Sequence, residues 1–359
     1  MPTWYQAGTI NQMVAVSLKI ITPEYFFTLS FIISLFFSMI LGTSVGTLSA
    51  IGIPVMGTAL ALDFPSEIVA GALISGAFVG DRTSPFSSAH QLLAHTIEIS
   101  VKKQFRAMSI TTVLAIVLGI IFYHILDKHF LQNFSTIYAS EVVDLSIMKF
   151  LPPIVLILMV ILRFKILYAF ILSIAIACFL SITNGVEFFD LVSSLWYGIE
   201  GLGGGLANMY LLLLFLALAG AYNGLLEELK VIQTLLDQWL YSSHSMLNDT
   251  IKAMIATLGI TLVAANQTLP IILTGRSFLA HWSSKYSKED LARVMGDSTM
   301  LFPGMVPWSV LTIMCSTIMG VSVFEYLPYA IFLWSLPLLT VVVSILKTVK
   351  GRSKLIQSN

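Results

Sequence analysis

Two stretches of this sequence each place a carboxylate among hydroxyl side chains and helix-breaking residues, inside segments that are otherwise apolar. The first covers residues 80–88 (GDRTSPFSS) and contains Asp81, and the second covers residues 296–309 (GDSTMLFPGMVPWS) and contains Asp297. Carboxylate, hydroxyl and freed backbone carbonyl oxygens are the ligands that a small hard cation prefers. The pattern therefore predicts a sodium site to which Asp81 and Asp297 contribute.

The predicted site for an ion or substrate also includes hydroxyl and amide side chains near the two carboxylates. The full set is Thr43, Ser44, Thr47, Asp81, Thr83, Ser84, Ser87, Asn266, Gln267, Asp297, Ser298 and Thr299. The amide pair at 266–267 stands in an apolar segment, where it offers neutral oxygen ligands or, alternatively, hydrogen bonds between helices. The hydroxyls at 43–47 have two comparable interpretations: they line an ion path, or they let helices pack closely.

Three charged residues are secondary candidates: Arg82, Arg276 and Glu227. Arg276 is interpreted as an anchor at the inner membrane surface or as a guanidinium for an anionic substrate. Glu227 lies on an amphipathic stretch, so solvation is its first interpretation. For Asp81 and Arg82 the plain alternative is a salt bridge in a surface loop, with Asp297 as a helix cap. We favour function, because broken helices in repeated positions mark the substrate site of many transporters.

The composition indicates a protein that crosses a membrane several times. The chain is 57% hydrophobic and 11% charged, whereas about a quarter of a soluble domain is charged. Its mean hydropathy is +0.89, and its zero net charge offers no basic surface for nucleic acid. Both cysteines lie in apolar runs, which predicts packing rather than a metal site. The clearest predicted helical spans are Tyr25–Leu41, Met108–Tyr123, Ile147–Leu162, Ile166–Ile182, Leu206–Gly220, Ile251–Ala265 and Tyr329–Leu346.

The two halves of the chain match at one ungapped offset. Asp297 lies 216 positions after Asp81, and the same shift carries Pro54 to Pro270. Loops matched by this offset have opposite charge bias, since the acidic loop at 63–67 corresponds to the basic segment 276–293. Lys and Arg in short loops mark the cytoplasmic side. The reversal therefore predicts two copies of opposite orientation, an inverted repeat.

We therefore predict an all-α polytopic membrane protein of about 11 spans, built as an inverted-topology repeat with broken helices. Residues 1–143 form the first repeat, and residues 144–359 form the second, which ends in a cytoplasmic C-terminus. At the observed offset, about seventy residues, or about three spans, would precede Met1. The first repeat is therefore expected to be incomplete at its N-terminus.

At the residues named above the sequence resembles the NhaC-type sodium/proton antiporter family. Residues 42–47 (GTSVGT) and 80–87 (GDRTSPFS) look like that family's GTSxGT and GDKxSPxS stretches, and residues 274–278 (TGRSF) are similar to its PGRxF. The run 297–309 resembles its E-D-[SA]…P…PW[NS] signature. Thr274 replaces the family's proline, and Asn266 stands where some relatives are expected to carry an acid. The resemblance covers nearly all of the chain.

The resemblance and the paired carboxylates together predict a secondary active transporter that exchanges sodium for protons by alternating access. Competition of the two cations for one carboxylate would couple their fluxes. The expected location is the plasma membrane, the inner membrane of a bacterium. Neither a catalytic residue nor a cofactor is predicted, and the partners are sodium, protons and the lipid bilayer; oligomerisation is left open.

Two alternatives remain at the level of sequence. The first keeps the scaffold but exchanges an organic anion such as malate or lactate, or an amino acid, with protons or sodium, because relatives of the family carry such solutes. The second is an enzyme, an intramembrane aspartyl protease with Asp81 and Asp297 as its dyad. Such proteases show G-x-G-D around one aspartate, whereas this chain has Phe78 and Val294 at the first position.

Overall fold

Apolar, helix-favouring runs dominate the chain, and in the computed structural model the described residues are helical with no β-strand among them. The structure describes residues 2–20, 23–131, 146–162, 164, 166–199, 205–207, 209–229 and 245–357. The α-helices are α1 (Pro2–Gln6), α2 (Thr9–Ile20), α3 (Phe26–Leu41), α4 (Ser44–Thr47), α5 (Ile53–Ala61), α6 (Ser66–Thr83), α7 (Ser88–Thr96), α8 (Val101–Leu131), α9 (Leu151–Ile161), α10 (Ile166–Thr183), α11 (Phe188–Tyr197), α12 (Tyr210–Leu229), α13 (Met246–Ala264), α14 (Thr268–Ser283), α15 (Lys288–Asp297), α16 (Val310–Met319), α17 (Val323–Tyr326) and α18 (Ile331–Gln357).

Each of the seven predicted apolar runs corresponds to a helix of the structure. Three described segments are individually long and apolar enough to cross a membrane: Val101–Phe130, Met246–Ala264 and Ile331–Val349. Helix α16 and the segment Val323–Tyr329 pass the same test only as a pair bent by 87°. Helix α8 is longer than its predicted run, so Asp127 also lies in this helix.

The first interrupted helix is formed by α3, α4 and α5. Helix α3 ends at Gly42, whose φ of 67° is in the left-handed region that favours glycine. Thr43 then restarts the helix, because its side-chain oxygen accepts a hydrogen bond from the backbone N–H of Gly46 at 3.4 Å. A π-helical turn, Leu48–Gly52, joins α4 to α5. Such turns are rare and occur frequently at functional sites.

Helices α6 and α3 pack so closely that their backbones are in contact. A Cβ at Gly80 would lie 2.0 Å from the carbonyl of Ser38, so only glycine fits there. The Ser38 hydroxyl donates to the carbonyl of Gly76 at 2.8 Å and accepts from the Gly80 N–H at 2.9 Å. This close contact fixes the end of α6, where the first carboxylate lies.

The helix break in the first carboxylate stretch lies in its second half. Helix α6 continues through Asp81 to Thr83, and the chain is non-helical only from Ser84 to Ser87. Pro85 lies in this interruption, where its missing N–H removes no helical hydrogen bond. Asp81 is therefore held on a regular helix, three residues before the chain turns.

Residues 246–357, like residues 26–131, form helices that are interrupted more than once. Helix α13 also ends at a left-handed residue, Ala265 with a φ of 53°, and α14 starts directly after it. Helix α15 then ends at Asp297, and the chain is irregular up to Ser309, where α16 begins. Long helices, α8 and α18, close the two series. Both carboxylates thus lie at or near the end of a helix that precedes an interruption.

The N-terminus of α3 is capped from α8. Asp127 accepts hydrogen bonds from the backbone N–H groups of Phe27 at 2.8 Å and Thr28 at 3.1 Å, and from the Thr28 hydroxyl at 2.6 Å. We expect Asp127→Ala to destabilise the protein by about 1–3 kcal/mol, because it leaves buried donors unsatisfied. Thermal unfolding in detergent measures this. The exposed neighbour Lys128→Ala is the control, and equal stability of the two variants would contradict the capping role.

Candidate functional site

Asp81 lies where the two interruptions of the first helix series meet the interruption between α13 and α14. Its side chain is 8% exposed. One carboxylate oxygen accepts from the backbone N–H of Ser44 at 3.2 Å, and the other accepts from Nε2 of Gln267 at 3.1 Å. Neither donor is a cation. The site therefore presents a buried carboxylate whose charge is met by two neutral donors.

The hydroxyls after Asp81 shape the interruption around it. Ser87 donates its hydroxyl to the backbone carbonyl of Asp81 and accepts from the His90 N–H, so it also caps α7. Ser84 donates to the carbonyl of Met39 at 2.7 Å, and Thr83 donates to the carbonyl of its own helix at Val79. All three hydroxyls are buried, and each already has a protein acceptor.

The second carboxylate has an arginine as its partner. Nη2 of Arg82 donates to Oδ1 of Asp297, and both side chains are fully buried. Thr111 on α8 donates to the same oxygen at 3.1 Å, while Oδ2 of Asp297 has no hydrogen-bond partner among the described residues. Arg82 thus pairs across the two helix series with Asp297. The salt bridge of Arg82 is therefore buried and formed with Asp297, and it is not the surface salt bridge with Asp81 that was the alternative.

The adjacent amide side chains of Asn266 and Gln267 form different contacts. Gln267 donates to Asp81 and also to the carbonyl of Met300 at 2.9 Å. It therefore connects the end of α6 with the irregular segment that follows α15. Asn266 does not reach the carboxylate, since its oxygen accepts from the Leu269 N–H at 2.9 Å at the start of α14. The structure therefore brings Gln267 to Asp81 and uses Asn266 locally.

Of the remaining residues with predicted hydroxyl ligands, one contacts Asp81 and the others bond elsewhere in the protein. The backbone of Ser44 reaches Asp81, while its buried hydroxyl has no partner among the described residues. Thr47 donates to the carbonyl of Thr43, and Ser298 donates to that of Val294. Thr299 joins a separate group of threonine hydroxyls, in which Thr257 lies 2.9 Å from both Thr274 and Thr299.

Of the secondary candidates, Arg82 is bonded to the second carboxylate, Asp297. Arg276 is exposed on α14, as its interpretation as a surface anchor requires. The side chain of Glu227 is outside the part of the chain that the structure describes. Residues that the sequence analysis missed are Thr111 and Thr112, which hold Arg82 and Asp297 in place. Adjacent hydroxyls within an apolar span were the available signal.

A cavity of about 1020 Å³ lies beside the interruptions but not at the carboxylates. Its wall includes Gly42, Thr43 and Ser49 from the first interrupted helix, with Phe86 and Ser88 from the second interruption. Aromatic side chains Phe36, Phe164 and Phe170 complete it. Two residues of its wall adjoin partners of Asp81 in the sequence: Thr43 precedes Ser44, which donates to the carboxylate, and Ser88 follows Ser87, which donates to the backbone carbonyl.

Comparisons with known proteins agree with these features. The model of the family described as the Na⁺/H⁺ antiporter family matches residues 80–347. The Na⁺/H⁺ antiporter NhaC of Alkalihalophilus pseudofirmus is 26% identical over 94% of this chain and 78% of its own length. NhaC of Bacillus subtilis is 25% identical, covering 96% and 81% respectively.

A third relative is named for the transport of organic solutes. The malate-2H⁺/Na⁺-lactate antiporter of Bacillus subtilis is 25% identical over 92% of this chain and 75% of its own length. All three similarities extend over most of the chain, and the matched region of the family model includes both carboxylates. With its apolar helices, the protein is a multi-pass membrane protein. The chain belongs to the Na⁺/H⁺ antiporter family.

Proposed function

We propose that this protein exchanges sodium for protons and that Asp81 is the carboxylate for which the two cations compete. One observation carries the proposal: Asp81 is buried, and no Lys, Arg or His in the described part of the chain pairs with it. A buried carboxylate without a cation is costly, and binding a proton or a sodium ion neutralises it. Family membership supports the same activity.

The coordination available around Asp81 suits sodium. Backbone carbonyls and hydroxyls flank it at the interruptions, and sodium, like other hard cations, takes oxygen ligands. A proton and a sodium ion cannot neutralise the same carboxylate together, so arrival of one displaces the other. This competition couples the two fluxes when the site opens to each side of the membrane in turn.

The interrupted helices in both halves of the chain support an inverted repeat whose two copies rock against each other. In transporters of this kind the site lies near the bilayer midplane, between discontinuous helices. Both carboxylate stretches have that character here. The cavity beside Gly42 and Ser88 is our proposed access route to Asp81, in a plasma membrane.

An organic anion as cargo is the second candidate, because a malate/lactate antiporter is among the relatives. It requires a cationic group at the site to hold the carboxylate of the solute. Arg82 is engaged by Asp297, and Arg276 is exposed. The geometry around Asp81 therefore favours sodium as the cargo.

Proteoliposomes containing the purified protein and a trapped pH dye test this choice. Sodium added outside, with no organic solute present, should release protons from the lumen. Potassium at the same concentration is the control cation, and malate and lactate are added in separate arms. Proton movement that requires malate or lactate would favour the second candidate, and absence of sodium-dependent proton movement in all arms would reject the proposal.

The protease alternative predicts two carboxylates acting as one unit. Here Asp81 is bonded to Ser44 and Gln267, whereas Asp297 is bonded to Arg82 and Thr111. Separate partners suit separate roles better than a dyad that shares a proton. The relatives are antiporters by name, which supports a transporter rather than an enzyme.

Gln267→Leu should weaken sodium binding more than it slows the maximal rate. The substitution removes the donor to Asp81 at 3.1 Å and keeps a side chain of similar size. Groups that orient a ligating carboxylate typically contribute about 10–100-fold in metal affinity, so we expect the sodium KM to rise about 10-fold. Sodium titrations of proton release in proteoliposomes measure it. Asn266→Ser is the control, because it preserves an acceptor for the Leu269 N–H; a similar KM change in both variants would contradict the assignment.

A further inference from the structure

The two carboxylates at the interrupted helices, Asp81 and Asp297, differ in the charge of their partners. Asp297 is in contact with a guanidinium, whereas the partners of Asp81 among the described residues are neutral donors. Arg82 follows Asp81 directly in the sequence, yet it pairs with the carboxylate 215 positions away. A cation that belongs to the protein is therefore already bound to Oδ1 of Asp297.

All three guanidinium nitrogens of Arg82 donate hydrogen bonds that hold it in this position. Its Nε donates to the carbonyl of Gly296 at 2.8 Å, and its Nη1 donates to the Thr112 hydroxyl at 2.5 Å. Nη2 reaches Thr111 at 3.4 Å in addition to Asp297. An arginine stays protonated in proteins, so the charge is permanent.

Releasing Asp297 for exchange would require Arg82 to leave these contacts. The guanidinium is fully buried, and a buried charge separated from its partner is strongly destabilising. Arg293, only 4% exposed, lies one helical turn before Asp297 and adds a second positive charge nearby. Both features oppose binding of a further cation at this carboxylate.

From this arrangement, and resting on the exchange function proposed above, we infer that Asp297 takes no part in exchange and that one sodium ion moves for one proton. In each loaded state Asp81 is neutral, carrying either the sodium ion or the proton. The Asp297–Arg82 pair has no net charge in either state. The two half-cycles therefore move equal charge in opposite directions, and exchange is electroneutral.

Electroneutral exchange has a null point that the membrane potential does not alter. Net proton movement stops when the sodium concentration ratio across the membrane equals the proton ratio. If two protons moved for each sodium ion, one charge would cross in each cycle. A potential of 100 mV would then shift the sodium ratio at the null point by about 50-fold.

Reconstituted protein with preset sodium and pH gradients tests the inference. The membrane potential is set at zero or at about −100 mV with potassium and valinomycin, and the null point is read with a trapped pH dye. We expect equal null points at both potentials. A shift approaching about 50-fold would overturn the one-to-one stoichiometry while leaving sodium/proton exchange intact. If sodium moves no protons at either potential, the proposed function itself fails.

The double variant Arg82→Gln/Asp297→Asn provides a second readout. It removes the pair without leaving a net buried charge, so we expect it to exchange sodium and protons with the same potential-independent null point as the parent. A double variant that is monodisperse in detergent but has lost exchange, or whose null point depends on the potential, would contradict the inference. If the double variant does not fold, the parent measurement still decides the stoichiometry.

Discussion

Asp81→Asn is expected to abolish sodium-driven proton movement, with at least about a 100-fold loss, while the protein stays folded. Loss of a group that merely orients a metal ligand already costs about 10–100-fold, and here the ligand itself loses its charge. Asparagine retains one oxygen that can accept from Ser44 or Gln267, so local packing is preserved. Proton release in proteoliposomes measures the effect.

Asp63→Asn is the matched control for this experiment. Asp63 is exposed and has a φ of 54°, a conformation that asparagine also adopts. The control should therefore transport like the parent. Retained exchange in Asp81→Asn, at more than about a tenth of the parent rate, would remove Asp81 from the site.

The second large effect concerns stability. Asp297→Ala leaves the guanidinium of Arg82 buried without a charged partner, and breaking a buried ion pair in this way typically costs about 3–5 kcal/mol. Thermal unfolding of the purified protein in detergent should therefore show a marked loss of stability. Arg82→Gln/Asp297→Asn should lose less than Asp297→Ala, because the double variant buries no unpaired charge.

Lys288→Ala on the same helix is the control for this stability effect. Lys288 is at the opposite end of α15, and its partner Glu98 is exposed. Partly exposed pairs contribute about 0–1 kcal/mol, so this variant should unfold close to the parent. Equal losses in Lys288→Ala and Asp297→Ala would show that burial of the Arg82–Asp297 pair is not the cause.

Much of the helical architecture could be predicted because hydropathy acts locally. Each apolar run became a helix, since a chain within lipid must pair its backbone groups internally. Helix ends were less predictable. Within the predicted stretch 80–88 the interruption lies at Ser84–Ser87, around Pro85, while Gly80 serves close packing against Ser38.

Which of the candidate residues contact one another was only partly predictable from the sequence. Asp81, Gln267 and Ser44 were all candidates, and the structure joins them. Asn266 was an equal candidate by type and position, yet it caps α14. Side chains that are adjacent in sequence point in different directions, so only the packed backbone distinguishes them.

By itself, the sequence determined that this is a helical membrane protein of the Na⁺/H⁺ antiporter family with two buried carboxylates at interrupted helices. Composition, hydropathy and short motifs carry that information, because each depends on residues close together in the chain. The partner of each carboxylate depends on the packed backbone and could not be read from the chain. Arg82 is adjacent to Asp81, but hydrogen bonds to Thr112 on α8 and to Asp297 at the end of α15 hold its guanidinium away from Asp81, which pairs with no cation among the described residues.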